Sequence, residues 1–274
     1  MKSKIIMNKK YFGVLILRLN LPKSIFSRIT RAVVEFELID DDDKILIGIS
    51  GGKDSLFLTY ALALLRERFK KKFELTALTI NPMFTKDFNV EAVTEFCHEL
   101  SIEHKVEDVD IAGVIEVADK KPCFTCAYFR RAAMNRYANS IGANKVAYAH
   151  HLDDAVETFL MGILSSGQLN TFTPKTFLDR SKITVIRPLV YIREFEIDNF
   201  TQKNNFEVVK SPCPIDGKTN RQTVKELIKN LSKQFPNLFS HLTASMRKSS
   251  LGDLWEAPKT REEMKIAYYS YLGH

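Results

Sequence analysis

The hexapeptide Ser50-Gly51-Gly52-Lys53-Asp54-Ser55 lies between two apolar runs, residues 44–49, which predict a strand, and residues 56–69, which predict a helix. Its paired glycines permit backbone angles and close approaches that a Cβ would prevent, so consecutive N–H groups can point at an anion. The following helix adds the positive end of its dipole, and Lys53 adds a full charge. The stretch therefore predicts a phosphate-binding loop at a strand-to-helix junction. Its spacing differs from that of the Walker loop, in which four residues separate the first glycine from Gly-Lys-Ser/Thr.

The composition is that of an ordinary globular protein with an excess of basic residues. Of 274 residues, 45% are hydrophobic and 27% are charged, and 40 Lys and Arg against 33 Asp and Glu give a net charge of +7. Residues 1–31 carry eight Lys or Arg and no acid, and residues 217–248 carry seven with Glu226 as the single acid. Two basic ends suit a polyanion that contacts both, although a solvated surface would show the same charge.

The hydropathy pattern predicts no membrane span. The apolar run 11–17 follows four lysines but is short, meets Arg18 and lacks a small-residue cleavage site, so it is not typical of a signal peptide. No other run approaches the roughly 20 apolar residues that a span needs. We therefore expect a cytoplasmic protein, whose four cysteines are ligands, catalysts or core residues rather than disulfides.

From residue 44 onward, strand-like and helix-like segments alternate. The predicted strands are 44–49, 73–80, 102–106, 145–149, 183–186 and 206–209, and the predicted helices are 56–69, 89–100, 127–141, 153–164, 193–203 and 220–250. This alternation predicts an α/β fold, a parallel sheet with helices on both faces.

The same pattern predicts how the chain is organised around a site. We expect a basic N-terminal extension (1–43), a catalytic domain (44–214) and a helical basic C-terminal segment (215–274). Ligands of parallel sheets bind at the carboxyl ends of the strands, so the hexapeptide, Asn81 and His150 to Asp154 should share one rim.

A cysteine pair, Cys123-Phe124-Thr125-Cys126, follows a polar loop and opens a predicted helix. In a reducing compartment such a pair can be a redox dithiol, half a zinc site or part of an iron–sulfur site. Cys213, between two prolines, would complete a set of three thiolates, which leaves a metal centre with an open position. Cys97 lies among the apolar positions of a helix and is interpreted as a core residue.

Two acids behind two histidines, His150-His151-Leu152-Asp153-Asp154, stand between a strand and a helix. Capping of the helix explains one aspartate. Two acids on the rim predicted for a nucleotide also suggest Mg²⁺ binding or proton transfer.

Together these motifs resemble a known family. The set SGGKDS (50–55), CFTC (123–126), AHHLDDAVET (149–158), TPK (173–175), IRPL (186–189), Cys213 and NRQTVKEL (220–227) resembles the tRNA 2-thiocytidine sulfurtransferases and, more distantly, the tRNA thiouridine sulfurtransferases. Both belong to the PP-loop ATP pyrophosphatases, with the adenine nucleotide alpha hydrolase-like fold. The resemblance spans roughly residues 25–250. The chain lacks the additional CxxC or CxxH pairs that the thiouridine enzymes carry.

The resemblance implies ATP-dependent tRNA thiolation. ATP adenylylates a base carbonyl oxygen with release of pyrophosphate, and sulfur then displaces AMP. Carried over by position, Cys123, Cys126 and Cys213 would hold a [4Fe–4S] cluster whose fourth iron binds sulfide. The ATP-binding residues would be Ser50, Gly51, Gly52, Lys53, Asp54, Ser55 and His150, with Asp54 near Mg²⁺.

Roles and partners are also implied by the resemblance. Asp154 matches a family acid implicated in catalysis, and Asp153 beside it is a further catalytic candidate. Arg130 stands where the thiouridine relatives carry a catalytic lysine. Because an arginine does not give up its proton, Arg130 is expected to stabilise charge. The expected partners are tRNA and a sulfur donor, either a cysteine desulfurase or inorganic sulfide, and a homodimer is expected.

The resemblance implies 2-thiocytidine in the anticodon loop as the product, with a tRNA 2-thiouridine-type sulfurtransferase as an alternative. Two other classes of function also remain open at the level of sequence. A PP-loop ligase that joins nitrogen to a carbonyl would explain the hexapeptide but neither the three cysteines nor the basic ends. A non-catalytic nucleic-acid-binding or redox-sensing module would use the cluster without turning over ATP.

Overall fold

Strands and helices alternate along the chain in the computed structural model, which describes residues 19–85, 88–117, 122–210, 212–213, 220–247 and 260–272. The strands are β1 (Asp43–Gly48), β2 (Phe73–Asn81), β3 (Glu103–Asp108), β4 (Lys145–Ala147), β5 (Lys175–Leu178) and β6 (Ile183–Ile186). The helices are α1 (Lys23–Glu35), α2 (Lys53–Arg68), α3 (Glu91–Glu99), α4 (Ile111–Val117), α5 (Pro122–Ser140), α6 (Leu152–Ser166), α7 (Glu194–Lys203), α8 (Asn220–Gln234), α9 (Leu238–Ser245) and α10 (Arg261–Leu272).

The described strands form one sheet in the order β3-β2-β1-β4-β6-β5. Every pairing is parallel except that of β5 with β6, which closes one edge as an antiparallel hairpin. At the centre, Ile47 of β1 is in register with Ala77 of β2 and Ala147 of β4. The α/β fold with a mainly parallel sheet is therefore confirmed.

Alternating residues of β1 face two different layers of helices. Ile45 and Ile47 belong to a large core that also contains the buried faces of α1, α2, α3 and α7. Leu46 faces the other side, where it packs with Met134 and Ala138 of α5. Because the apolar residues of β1 are buried on both faces, the sheet is covered on both sides, as predicted.

Helix α1 packs into this core. Ile25 and Ile29 are buried in it, and Arg28 pairs with Glu196 of α7 and donates to the carbonyl of Tyr191 at 3.2 Å. The chain divides into two compact units, residues 1–229 and 230–274. The predicted division into extension, catalytic domain and C-terminal segment stays a prediction.

Three local predictions differ from the structure. Residues 206–209 form no strand: Phe206 packs against Phe96 and Tyr60, and the segment makes a backbone contact with the hexapeptide. The predicted helix 220–250 is interrupted between α8 and α9, where Pro236 cannot continue it. The prediction also missed β5, α4 and α10.

None of the helices in the described ranges combines the length and hydropathy of a bilayer span. The most N-terminal basic residues, the proline after Cys213 and Trp255 lie outside the described residues.

Candidate active site

The predicted rim forms at the carboxyl ends of three adjacent parallel strands. β1 leads into Ser50, β2 ends at Asn81, and β4 leads into His150. The side chains of Asp54 and His151 meet across this rim, with 3.8 Å between Oδ1 and Nε2. Asn81 lies on the same rim and donates to Asp108 at 2.8 Å.

The hexapeptide is a loop held in shape by its two serines. Ser55 Oγ accepts from the backbone N–H of Ser50 at 3.1 Å and donates to the carbonyl of Gly52 at 2.8 Å. Ser50 Oγ accepts from the N–H of Gly52 at 3.3 Å. These bonds curl the loop over the start of α2, whose first turn is the kind of helix terminus that binds anions.

Gly51 is the tightest point of the loop. Its φ of +79° lies in the left-handed region, and a Cβ built on it would stand 2.7 Å from Cβ of Val209. The N–H of Val209 also donates to the Gly51 carbonyl at 3.0 Å. Glycine is therefore required here both by conformation and by space.

Lys53 is held by two acids. Its Nζ lies 3.0 Å from Asp54 and 3.1 Å from Glu194, at the start of α7. Glu194 also pairs with Lys225 of α8 at 2.5 Å. Burial opposes ionisation of Glu194, but the hydrogen bonds and charges of the two lysines prevail and lower its pKa to about 2.

His151 and Asp154 form a reciprocal cap at the start of α6. His151 Nδ1 accepts from the Asp154 N–H at 3.3 Å, and Asp154 Oδ2 accepts from the His151 N–H at 3.0 Å. Because Nδ1 is an acceptor, the proton of neutral His151 resides on Nε2, which faces Asp54. The other oxygen of Asp154 binds Arg221 of α8 at 2.9 Å.

Asp153 holds the start of α7. It accepts from the backbone N–H of Glu194 at 2.7 Å and from Arg193 Nε at 3.1 Å. The bond to Glu194 fixes the same residue that pairs with Lys53. Asp153 thus connects the start of α6 to the start of α7, next to the acid that pairs with the hexapeptide.

His150 is half-buried beside an aromatic ring and an arginine. Its ring centroid is 5.0 Å from that of Phe172, over which the Arg187 guanidinium stacks at 5.1 Å. Burial lowers the pKa of His150 to about 4, so its imidazole is neutral at pH 7. Nδ1 of His150 is buried and has no hydrogen-bond partner among the described residues.

The cysteines of the predicted ligand set are neighbours. Cys123 is exposed and Cys126 half-buried at the start of α5, and Cys213 is half-buried. Burial raises the pKa of Cys126, Arg130 opposes this, and both Cys213 and Cys123 raise it further, so both thiols lie within electrostatic range of Cys126. The described residues nevertheless contain no group of three His, Cys, Asp or Glu already arranged around a metal position.

Cys97 is a core residue, as predicted. It is fully buried on α3, and burial raises its pKa to about 12. Cys97 is thus a core thiol, distinct from Cys126 and the two thiols that interact with it electrostatically.

Four site residues were missed by the sequence reasoning: Glu157, Glu194, Arg221 and Lys225. Arg221 and Lys225 lie one turn apart on α8, so both reach the same side, toward α6 and α7. The only signal for them was their position within the NRQTVKEL motif, to which no role was assigned.

A glycine-bent loop between β1 and α2 of a mainly parallel sheet is the arrangement of a PP-loop nucleotide-binding protein. The family model of the PP-loop domain accordingly matches residues 22–231. The tRNA-cytidine(32) 2-sulfurtransferase of Geobacter sulfurreducens is 37% identical over 220 residues, 78% of this chain and 85% of that protein. The protein of the same name from Geotalea daltonii is 36% identical over 229 residues, 82% of this chain and 90% of that one. The chain belongs to this family of tRNA sulfurtransferases.

A solved structure shares the fold. The U34-tRNA thiolase NcsA from Methanococcus maripaludis, solved with its [4Fe-4S] cluster, matches with a TM-score of 0.70 and 23% identity, over 91% of this chain and 87% of that one. At this identity the likeness establishes a common fold.

Proposed function

We propose that this protein is an ATP-dependent tRNA sulfurtransferase that converts a cytidine in the anticodon loop to 2-thiocytidine. The relatives at 36–37% identity are named for cytidine 32. The observation that carries the proposal is a backbone contact: Val209, four residues before Cys213, donates to Gly51 in the phosphate loop at 3.0 Å. This contact supports a site in which the third cysteine and the phosphate loop act together.

In this proposal Ser50, Gly51, Gly52, Lys53, Asp54 and Ser55 bind the phosphates of ATP. The backbone N–H groups of the loop donate to phosphate oxygens, and Lys53 adds a point charge. Lys53 is already oriented by Asp54 and Glu194, each about 3 Å from its Nζ. His150, neutral and half-buried beside Phe172, lies toward the nucleotide.

The first chemical step is adenylylation. The C2 carbonyl oxygen of cytosine attacks the α-phosphorus, and the bond between the α-phosphorus and the bridging oxygen breaks to release pyrophosphate. Sulfide then adds to C2, and AMP leaves with the original oxygen, so that C2=O becomes C2=S. The loop and Lys53 stabilise the negative charge that develops at the α-phosphate.

The acids take different parts in this scheme. Asp54 lies in the first turn of α2, where it pairs with Lys53, and it would hold Mg²⁺ together with phosphate oxygens, since Mg²⁺ commonly uses one or two carboxylates and the substrate. When bound, Mg²⁺ neutralises phosphate charge. Asp154 and Asp153 are engaged with Arg221, Arg193 and the helix starts, which suits residues that position the site.

Cys123, Cys126 and Cys213 would hold a [4Fe–4S] cluster. The chemistry of the donor set fits: Cys123 and Cys126 stand at the start of α5, Cys213 lies within electrostatic range of Cys126, and Arg130 opposes the rise in the pKa of Cys126. When bound, such a cluster supplies an open iron at which sulfide can be carried. The chain's own part is to keep these thiols beside the phosphate loop, which the Gly51–Val209 contact supports.

The sulfur would come from inorganic sulfide or a cysteine desulfurase. We propose further that the protein acts in the cytoplasm, where its tRNA substrate is found, and that it forms a homodimer.

The test is thiolation with purified components. Protein with a reconstituted cluster, unmodified tRNA, ATP, Mg²⁺ and sulfide should yield 2-thiocytidine, measured by nucleoside mass spectrometry, with one AMP and one pyrophosphate per thiolated base. Cys126→Ser should abolish the product, whereas Cys97→Ala, a change at the buried core thiol, should leave it. Absence of any thionucleoside with the wild-type protein would refute the proposal.

The rival functions give different results in the same assay. A carbon–nitrogen ligase would release AMP in the presence of ammonia and without iron. A binding or sensing module would release neither AMP nor pyrophosphate.

A further inference from the structure

Helix α5 exposes two aromatic rings beside the cysteine pair. Phe124 is 60% exposed and Tyr128 is 58% exposed. They lie one turn apart and so share one side of the helix, here called the α5 aromatic face. Further along α5, Ala133, Met134 and Ala138 are buried, and Met134 and Ala138 pack against the sheet. Large aromatic rings left exposed next to a reactive site suggest a binding surface.

All charged side chains of the helix that carries this face are positive. Its 19 residues contain three arginines and no acid. Arg136 pairs with Glu107, but neither Arg130 nor Arg131 forms an ion pair with a carboxylate in the described ranges. Arg131 Nε donates to the carbonyl of Ala127 at 3.0 Å, which places the guanidinium along the turn that carries Tyr128.

We propose that the α5 aromatic face stacks unpaired bases of the tRNA loop that presents the target cytidine. This inference rests on the proposed function. Aromatic rings combined with arginines are the usual means of holding single-stranded RNA, because each base offers a flat face to a ring and each phosphate a charge to a guanidinium. Bases of a duplex are already stacked and cannot use such a face.

The α5 aromatic face lies next to the cysteine pair in the chain, where a stacked RNA loop would be close to the cysteines. Phe124 lies between Cys123 and Cys126 in the chain, and Tyr128 is two residues beyond Cys126. Bases stacked here would bring their neighbour in the loop to the cysteine set. The face is thus suited to orient the loop rather than only to attract it.

A second copy of this chain is the less suitable occupant. In a two-fold contact through this face, Arg130 and Arg131 of the two copies would approach each other without acids on α5 to offset the repulsion. The charge of the face is complementary to RNA.

The experiment measures binding of the full-length, cluster-containing protein to a labelled anticodon stem-loop RNA by fluorescence anisotropy over a range of salt concentrations. Phe124→Ala and Tyr128→Ala should each raise Kd by about 5- to 150-fold, the usual effect of losing one stacked ring. Phe124→Leu, which keeps the apolar bulk, should weaken binding similarly, whereas Tyr128→Phe should bind as the wild type does.

Salt dependence separates stacking from charge. The ring variants should leave the slope of log Kd against log salt unchanged, whereas Arg131→Gln should reduce it by about 0.7, the value for one phosphate contact on a single strand. Phe177→Ala is the matched control, because Phe177 is 55% exposed on β5. It should change neither Kd nor slope.

Ring variants that bind within twofold of the wild type would overturn the inference. So would conversion of a dimer to a monomer by Phe124→Ala with RNA binding unchanged, which would make the face a self-association surface. Thiolation by the wild-type preparation is measured in parallel. If it succeeds while the ring variants bind normally, only this inference fails; if it fails, the proposed function fails, and the binding data still decide whether the face holds RNA.

Discussion

Replacing Gly51 with alanine tests the phosphate loop where it has least room. Gly51 has a φ of +79°, and a Cβ would stand 2.7 Å from Cβ and 3.0 Å from Cγ2 of Val209. The left-handed conformation costs an alanine about 1–2 kcal/mol. The contact with Val209 adds the cost of overpacking, about 1–3 kcal/mol. We therefore expect the free energy of unfolding to fall by about 2–5 kcal/mol.

A second glycine provides the matched control. Gly142, after α5, has a φ of +69°, but a Cβ there would meet no atom within 4 Å. Gly142→Ala should therefore lose only the conformational part, about 1–2 kcal/mol. Urea denaturation of both variants measures the difference. In a Val209→Gly background, Gly51→Ala should cost only about as much as Gly142→Ala, because the clashing side chain is gone; the comparison is made with Val209→Gly alone, since Val209 itself packs against the core.

The same substitution should weaken ATP binding. If the loop shifts enough to lose one hydrogen bond to a charged phosphate, about 1.5–3 kcal/mol of affinity is lost, a Kd increase of about 10- to 100-fold by calorimetry. Gly142→Ala should bind ATP normally. If Gly51→Ala equals Gly142→Ala in stability and retains wild-type ATP affinity, the packing of Val209 on the loop is not what requires a glycine.

Further predictions concern single titrating groups. The pKa of Glu194 falls from its ordinary 4.5 to about 2 on folding, so its contribution to stability is present above pH 4.5 and is lost as pH falls through 2. In urea denaturation from pH 7 to pH 2, the stability difference between wild type and Glu194→Gln should therefore shrink. A difference that stays constant with pH would contradict this. His150 should titrate near pH 4 in NMR spectra, because burial disfavours its charged form, and a midpoint at 6 or above would contradict the buried placement. Without a cluster, iodoacetamide should alkylate exposed Cys123 long before buried Cys97, as followed by mass spectrometry; equal rates would refute the burial of Cys97.

Much of the fold could be predicted because its signals are local. Turn-forming glycines and runs of apolar residues marked β1, α2 and β2 to within a few residues, and the mainly parallel pairing of the strands followed from the alternation. Residues 206–209 were predicted wrongly because a short apolar run looks the same whether it pairs with a strand or packs on rings. Here Phe206 joins an aromatic cluster.

The site was predicted only in part, for a physical reason. The hexapeptide is one short continuous stretch of sequence, and so is the cysteine pair. In each, the residue types and their spacing indicate the chemistry. Of the two acids that orient Lys53, Asp54 is adjacent in sequence, but Glu194 lies 141 residues away. No periodicity encodes such a pairing, since it depends on how α7 packs against α2. Lys225 and Arg221 were hidden for the same reason.

The bond between Gly51 and Val209 also limits distances. Val209 and Cys213 are separated by four residue steps, and a fully extended chain advances at most about 3.6 Å per step. Cys213 is therefore tethered within roughly 14 Å of its anchor on the phosphate loop. A residue inserted between them would lengthen the tether without touching either end. The number of residues in one short stretch of backbone thus limits how far the third thiol can lie from the phosphate loop.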